Sequence, residues 1–478
     1  MSSERPIESL PCPERLYLPL QQHVGRPSRP LVAAGDQVRA GQAVAAADGY
    51  VSAVLHAPAA GRVEGVVEYP LVHPDAVTGP CLVLAVDPAG PRVTAQGISN
   101  FEQQDPDVLR ERIERAGIIG LGGAGFPTHV KLREGMHHRI ELLIINGVEC
   151  EPFISCDDRL LRERADEVVT GSRIIARALG AERCIVAVED DMPAAHAALA
   201  GPCAAADIEL VRLPAVYPAG GEKQLIQALT GREVPSGGLP IHVDTIVNNV
   251  ATAAAVKRAV CDGEALTSRV VTVTGEVPVP GNREVMFGTP VAALLEAAGF
   301  EPAGHRVLVG GPMMGVEIHD FSAPVAKSTN CILVQKDVPL PAEQPCIRCG
   351  DCVTVCPVGL QPQQLLAAAQ RADFDAAQDA HLFDCIECGC CAYVCPSAIP
   401  LVHYYRYAKS SIEHLDDEHA RAEAARERYV QHNLRMARSA DAEAETGLVV
   451  DAPQDEAARQ QDIDAAVARS RARRNESH

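Results

Sequence analysis

The sequence predicts a multidomain chain of mixed α/β and β class that closes in an α-helical, cysteine-rich module. Three observations predict it. Residues 1–100 carry short alternating apolar runs broken by Gly and Pro, residues 101–262 alternate apolar strand runs with helical stripes, and residues 346–396 repeat one cysteine pattern twice. At 478 residues and 47% hydrophobic content the chain is long enough for three or four domains. The expected division is 1–100, 101–262, 263–330, 331–410 and a polar tail, 411–478.

Composition narrows the function classes. Lys and Arg number 43 against 63 Asp and Glu, a net charge of −20 that argues against a general nucleic-acid surface. The lack of Trp removes the best base-stacking platform, so no nucleic-acid partner is expected. Of 17 cysteines, eight fall in the repeat and the others are scattered singly, which suits a reducing compartment. The start, Met-Ser-Ser-Glu-Arg-Pro, has no apolar signal core, and no run approaches the ~18 apolar residues of a membrane span. A soluble or peripheral protein is expected.

In residues 1–100, Val32-Ala-Ala-Gly-Asp-Gln-Val and His56-Ala-Pro-Ala-Ala-Gly-Arg-Val place Gly-Asp and Ala-Gly steps between strand formers, the mark of tight hairpins. The segment resembles the barrel-sandwich fold of biotinyl and lipoyl carriers. Those carriers present a Lys at a hairpin tip. Here the corresponding turn is Ala47-Asp48-Gly49, so a packing scaffold is expected.

Residues 101–262 read as an α/β domain. A helical stripe over Leu109–Ala116 leads into Gly117-Ile-Ile-Gly-Leu-Gly-Gly-Ala-Gly-Phe-Pro-Thr-His-Val-Lys131. Strands are expected at Leu142–Asn146, Cys184–Val188 and Ile208–Leu213, with helices over about Asp158–Leu179 and from Glu222 through Leu229. Such alternation implies a mainly parallel sheet with its ligand at the strand C-terminal ends. The glycine-dense stretch lets backbone N–H groups approach an anion closely, or is a plain turn. It has no Gly-Lys-Ser/Thr and precedes a strand, so it is neither a P-loop nor a Rossmann fingerprint.

Residues 266–325 return to strand, turn, strand, helix, strand, a β-grasp order, with Met313 and Met314 as packing residues.

The repeat is C-x2-C-x2-C-x3-C-P, twice. Cys346, Cys349, Cys352 and Cys356 recur as Cys385, Cys388, Cys391 and Cys395, since 385 − 346 = 39 and the offset holds throughout. Three closely spaced thiolates curl around one iron–sulfur cube, and the Cys before Pro reaches the other cube. One [4Fe–4S] cluster is therefore assigned to Cys346, Cys349, Cys352 and Cys395, the other to Cys385, Cys388, Cys391 and Cys356. A pair of zinc knuckles would leave the third Cys step and both Cys-Pro ends without use. This is a dicluster ferredoxin-like module. From Leu401 the chain is polar, helical in propensity to about Arg438, and expected to be disordered beyond.

Gly-Gly-Ala-Gly-Phe-Pro-Thr with Lys131, Asn146-Gly-Val-Glu-Cys-Glu-Pro, Tyr217-Pro-Ala-Gly-Gly-Glu and Val247-Asn-Asn-Val-Ala-Thr252 follow one another in order. Together they resemble the FMN-binding subunit of respiratory complex I, and over residues 10–400 the RnfC component of the ion-translocating ferredoxin:NAD oxidoreductase (Rnf) complexes. The resemblance makes residues 101–262 a flavin domain and 263–330 a soluble ligand-binding β-grasp domain. It implies that Gly120, Gly122, Gly123 and Lys131 hold the FMN phosphate and ribityl chain, that Asn146, Tyr217 and Glu222 line the flavin, and that Asn248, Asn249 and Thr252 close its far side. Phe126 and Glu151 would face the nicotinamide nucleotide. Leu121, Val148, Gly221, Leu132 and Glu134 depart from the complex I pattern, so flavin contacts are kept more fully than nucleotide contacts.

The activity so implied is NADH oxidation through FMN to two [4Fe–4S] clusters. The implied setting is the cytoplasmic face of a bacterial inner membrane, with integral-membrane and other subunits as partners. A soluble cobalamin reductase of similar layout and a flavin-free electron-transfer scaffold are the competing readings.

Overall fold

The computed structural model describes residues 2–446, apart from 74–76, 302–303 and 340. Among the described residues, those up to Ala408 form one compact unit and those from Lys409 on another. Within the first, four sheets pack in sequence.

The N-terminal strands form a four-stranded and a three-stranded sheet. Thr78–Val86 runs between Arg15–Pro19 and Gly61–Pro70, both antiparallel to it. Ala43–Ala46 pairs with Arg29–Pro30 and Leu55–His56. The turn expected at Ala47-Asp48-Gly49 lies between Ala43–Ala46 and Leu55–His56, and Gly49 takes φ +92, where a side chain is strained.

The flavin-domain segment is a four-stranded parallel sheet in the order Glu209–Leu213, Arg183–Glu189, Leu142–Gly147, Thr245–Asn249. Leu142, Leu143, Ile144 and Ile145 are all buried, as a parallel strand covered on both faces requires. Each such side chain contributes about 1.5–3 kcal/mol. After Leu142–Gly147 the chain steps one way across the sheet, and it returns on the other side with Thr245–Asn249. The crevice between those two strand ends is the topological switch point, where open α/β sheets bind ligands.

The helix expected over Asp158–Leu179 is two, Cys156–Glu163 and Ala165–Leu179. Arg164 leaves helical geometry at φ −134, ψ 34 and pairs with Glu284 at 2.5 Å. A long-range ion pair outweighs local propensity there. The second helix stops at Gly180, in the left-handed conformation at φ 68.

The fourth sheet has six strands, in the order Glu8–Ser9, Gly281–Met286, Ser268–Gly275, Cys331–Lys336, His305–Val309, Val316–Ile318. It differs from the expected division at two points. Glu8–Ser9 joins this sheet rather than the N-terminal one, and Cys331–Lys336 is an interior strand although the boundary was expected at 330.

The cysteine-rich segment is built of short helices, Asp351–Thr354, Pro362–Gln370, Phe374–Asp379 and Cys390–Tyr393. Its 39-residue repeat is visible in the backbone. Arg348 and Glu387 both take φ 57, and Gly350 and Gly389 take φ 89 and 80 just before the matching helices. A last helix spans Leu401–Thr446, past the end expected near Arg438. The disorder expected further on falls outside the described residues.

Candidate functional site

The switch point gathers the flavin candidates. Asn146 and Asn249 are register partners at adjacent strand ends. Asn146 donates to the Gly220 carbonyl at 2.9 Å and accepts from Val148 N–H, so it fixes the loop that carries Tyr217 and Glu222. Asn249 caps the helix Val250–Lys257 by accepting from Ala251 N–H, and its amide donates to Asp157 at 2.6 Å. Asn248 is buried, and its side-chain nitrogen has no hydrogen-bond partner among the described residues. A buried orphan donor is costly without a ligand.

The glycine loop lies against this pair. A Cβ on Gly122 would meet the Asn249 Cβ at 3.1 Å, so only glycine fits without displacement. Leu121 N–H donates to Thr252 Oγ1 at 2.9 Å, and Gly120 N–H closes the loop on the Phe126 carbonyl. Phe126 is half-buried at the loop's end. Gly122, Gly123 and Ala124 are exposed, and their amides make no hydrogen bond among the described residues. Lys131, on the helix Thr128–Glu134, reaches Glu222 at 2.6 Å and the Val247 carbonyl at 3.2 Å. Free amides, a cation and an unpartnered amide donor around one crevice fit an anionic, hydrogen-bonding group such as FMN.

Glu151 is engaged with the β-grasp segment. Its carboxylate accepts the N–H groups of Met313 and Met314, at 2.7 and 3.1 Å, and lies where a Cβ on Gly311 would fall. Burial raises its pKa, against those two bonds. Glu151 thus ties the flavin segment to the Gly310–Gly315 turn, and Met313 and Met314 serve that turn through their main chain.

The cysteines divide as two sets. Cys346, Cys349, Cys352 and Cys395 line one small cavity with Leu366, Ile399 and Leu401. Cys356, Cys385, Cys388 and Cys391 line another with Leu360, Leu365, Val402 and Tyr405. Each Cys before Pro has crossed to the other triplet. Burial pushes the Cys388 and Cys391 thiols up to about 12, so a cation is needed to make them thiolates. Four sulfur donors in an apolar shell fit an iron–sulfur cube. The first set is the more exposed, with Cys346 and Cys349 at the surface.

The second set is fastened to the flavin segment. The Tyr217 hydroxyl donates to the Cys388 carbonyl. Asp384, one residue before Cys385, accepts from Lys223 Nζ, Ser236 Oγ and Gly237 N–H. Burial and the adjacent carboxylate and thiols drive the Tyr217 phenol far above its usual range, so it stays a donor.

Sequence reasoning passed over three groups. Glu149 accepts from the Asp157 and Asp158 amides, capping the helix Cys156–Glu163 from outside it. Arg269 and Lys327 are buried cations behind the glycine loop. No local pattern marks them, because each partner lies far away in sequence.

Family models match four stretches: an RnfC barrel sandwich hybrid domain over 1–89, a Nuo51 FMN-binding domain over 113–258, an SLBB domain over 270–317 and a 4Fe-4S dicluster domain over 345–399. A curated relative from Yersinia pestis bv. Antiqua (strain Antiqua), named as the C component of an ion-translocating oxidoreductase complex, is 44% identical over 443 residues, covering 91% of this chain and 71% of that one. The chain belongs to the RnfC family. Members from Pseudomonas aeruginosa (46% identical, 93% of this chain, 58% of that one) and Erwinia tasmaniensis (44%, 91% and 55%) are longer, so the chain spans little more than half of each. A solved NAD+-reducing [NiFe]-hydrogenase in the H2-reduced state aligns at 24% identity over 65% of this chain and 63% of that one, at a TM-score of 0.47, too low for a conclusion. The four matched stretches of this RnfC-family chain correspond in order to the expected barrel-sandwich, flavin, β-grasp and dicluster segments.

Proposed function

We propose that this chain is the electron-entry part of an ion-translocating oxidoreductase complex, oxidising NADH and passing the electrons through FMN to two [4Fe–4S] clusters. The observation that carries the reading is the junction of Tyr217 and Asp384. It sets the switch-point crevice directly against the Cys356, Cys385, Cys388 and Cys391 set.

When bound, FMN supplies the step between a two-electron hydride donor and one-electron acceptors. The chain's own residues do the holding. The amides of Gly122, Gly123 and Ala124 take the phosphate, with Gly120 shaping the loop and Lys131 adding positive charge. Asn146, Asn248, Asn249 and Thr252 would shape the floor of the flavin site at the strand ends, and Tyr217 and Glu222 would line it. Phe126 borders the nucleotide approach, while Glu151 shapes it by anchoring the Met313 turn. The buried cysteine set, fastened to the flavin segment, would hold the cluster nearer the flavin. The more exposed Cys346, Cys349, Cys352 and Cys395 set would hold the cluster that faces a partner.

The relatives are named as subunits of a complex, and we take the partners to be its integral-membrane and other subunits. Among the described residues no helix is long and apolar enough to cross a membrane. Ion movement is therefore assigned to partners, with this chain peripheral on the cytoplasmic face.

Anaerobic purification of the full chain, with iron and flavin quantification and NADH titration, tests the reading. About eight irons and one FMN are expected, with NADH bleaching both chromophores. NADH reduction of the iron centres that survives Lys131→Ala intact would overturn it.

A further inference from the structure

The glycine loop is gripped from behind by two buried cations of the β-grasp segment. Lys327 Nζ donates to the Gly117 carbonyl at 2.7 Å and to the Val54 carbonyl of the N-terminal sheets at 3.0 Å. Arg269 donates to the Leu121 carbonyl at 3.0 Å and to the Lys327 carbonyl at 2.5 Å. Gln22 Oε1 accepts the Lys327 N–H, and Val24 N–H donates to the Gly125 carbonyl. Lys327 is 1% exposed and Arg269 4%, so neither cation can meet a ligand directly.

We propose that Lys327 and Arg269 are positioning residues that shape the loop's anion-binding face. Carbonyls at Gly117, Leu121 and Gly125 are engaged behind the loop, while the amides of Gly122, Gly123 and Ala124 are left without partners in front, among the described residues. With these three carbonyls held, the loop keeps the amides between them open to an anion. Arg269 also places positive charge behind the loop, in a setting where solvent screens little, while burial lowers the Lys327 amine to about 7, so its part is its hydrogen bonds to the Gly117 and Val54 carbonyls. The N-terminal sheets thereby gain a role. They do not carry a group, but through Val54, Gln22 and Val24 they form the back wall of the phosphate cradle. This rests on the FMN reading above and deepens it, since it concerns the phosphate end of the ligand alone.

The test compares FMN with riboflavin, which lacks only the phosphate, binding to the flavin-depleted full chain. Flavin fluorescence gives both dissociation constants, and thermal melting gives stability. Wild-type chain is expected to prefer FMN. In Lys327→Met and Arg269→Gln that preference falls by about tenfold or more, the loss of one or two charge-assisted hydrogen bonds, while riboflavin binding changes little. Arg269→Lys restores part of it. Should Lys327→Met fail to fold, Arg269→Gln and Gln22→Ala carry the same comparison. Variants that melt earlier but keep the wild-type FMN-to-riboflavin ratio overturn the proposal and leave the FMN reading standing. A wild-type chain that binds neither flavin sinks the reading and the proposal together.

Discussion

The Tyr217 hydroxyl and the Cys388 main-chain oxygen are hydrogen-bonded across 171 residues of sequence. One lies in the flavin motif set and the other in the buried cysteine set, so the bond joins the two sites that the proposed electron path connects. Tyr217→Phe removes it while keeping the ring. The expected outcome is a stability loss of about 1 kcal/mol and slower appearance of reduced clusters after flavin reduction. Anaerobic stopped-flow at flavin and cluster wavelengths measures both steps.

Asp384 is the second fastening. Asp384→Ala leaves the Lys223 ammonium, the Ser236 hydroxyl and the Gly237 amide without their acceptor. A loss of about 1–3 kcal/mol is expected, concentrated at this junction. Hydrogen exchange of residues 382–391 should quicken while the parallel sheet keeps its protection.

The crossed cysteine sets predict a crossed phenotype. Cys395→Ser should disturb the cluster of Cys346, Cys349 and Cys352, and Cys356→Ser that of Cys385, Cys388 and Cys391. Iron content should fall by up to about half in each. EPR of the two variants should lose different signals, and pairing each variant with a triplet variant tells which signal belongs where.

Glu189, at the end of the strand Arg183–Glu189, is 4% exposed. Burial, with Asp191 and Asp190 nearby, pushes its carboxyl up to about 7. The folded state then keeps a proton that the unfolded chain releases near 4.5. Stability from this group is present below 4.5 and lost as pH rises through about 7. Glu189→Gln should flatten that slope and raise stability at pH 8 by roughly 2–3 kcal/mol, read by denaturant titration from mildly acidic to mildly basic pH.

The sequence made the strand runs, the glycine loop and the cysteine repeat legible because each is local. Leu142–Ile145 reads as buried from its apolar run, and the 39-residue offset pairs the cysteines without coordinates. The grouping of Asn146 with Asn249 could be expected from ordered motifs, but their register could not. What stayed hidden was long-range. Glu8–Ser9 is a two-residue strand whose partner is 275 residues away, and nothing in its own pattern separates it from a loop. Nothing local sets Arg269 and Lys327 apart from the solvated cations that most Arg and Lys are. Their burial depends on carbonyls supplied by other segments. The bonds of Glu151 to the Met313 and Met314 amides were likewise hidden, because the motif that carries Glu151 does not encode the approach of that turn.

The unequal shelter of the two sulfur sets bears on handling. Oxygen and chelators will reach Cys346 and Cys349 well before Cys388 and Cys391. Brief exposure to air should therefore yield a half-loaded species that still takes electrons from the flavin side but has lost its outlet, so intact flavin-side reduction is no proof of an intact preparation.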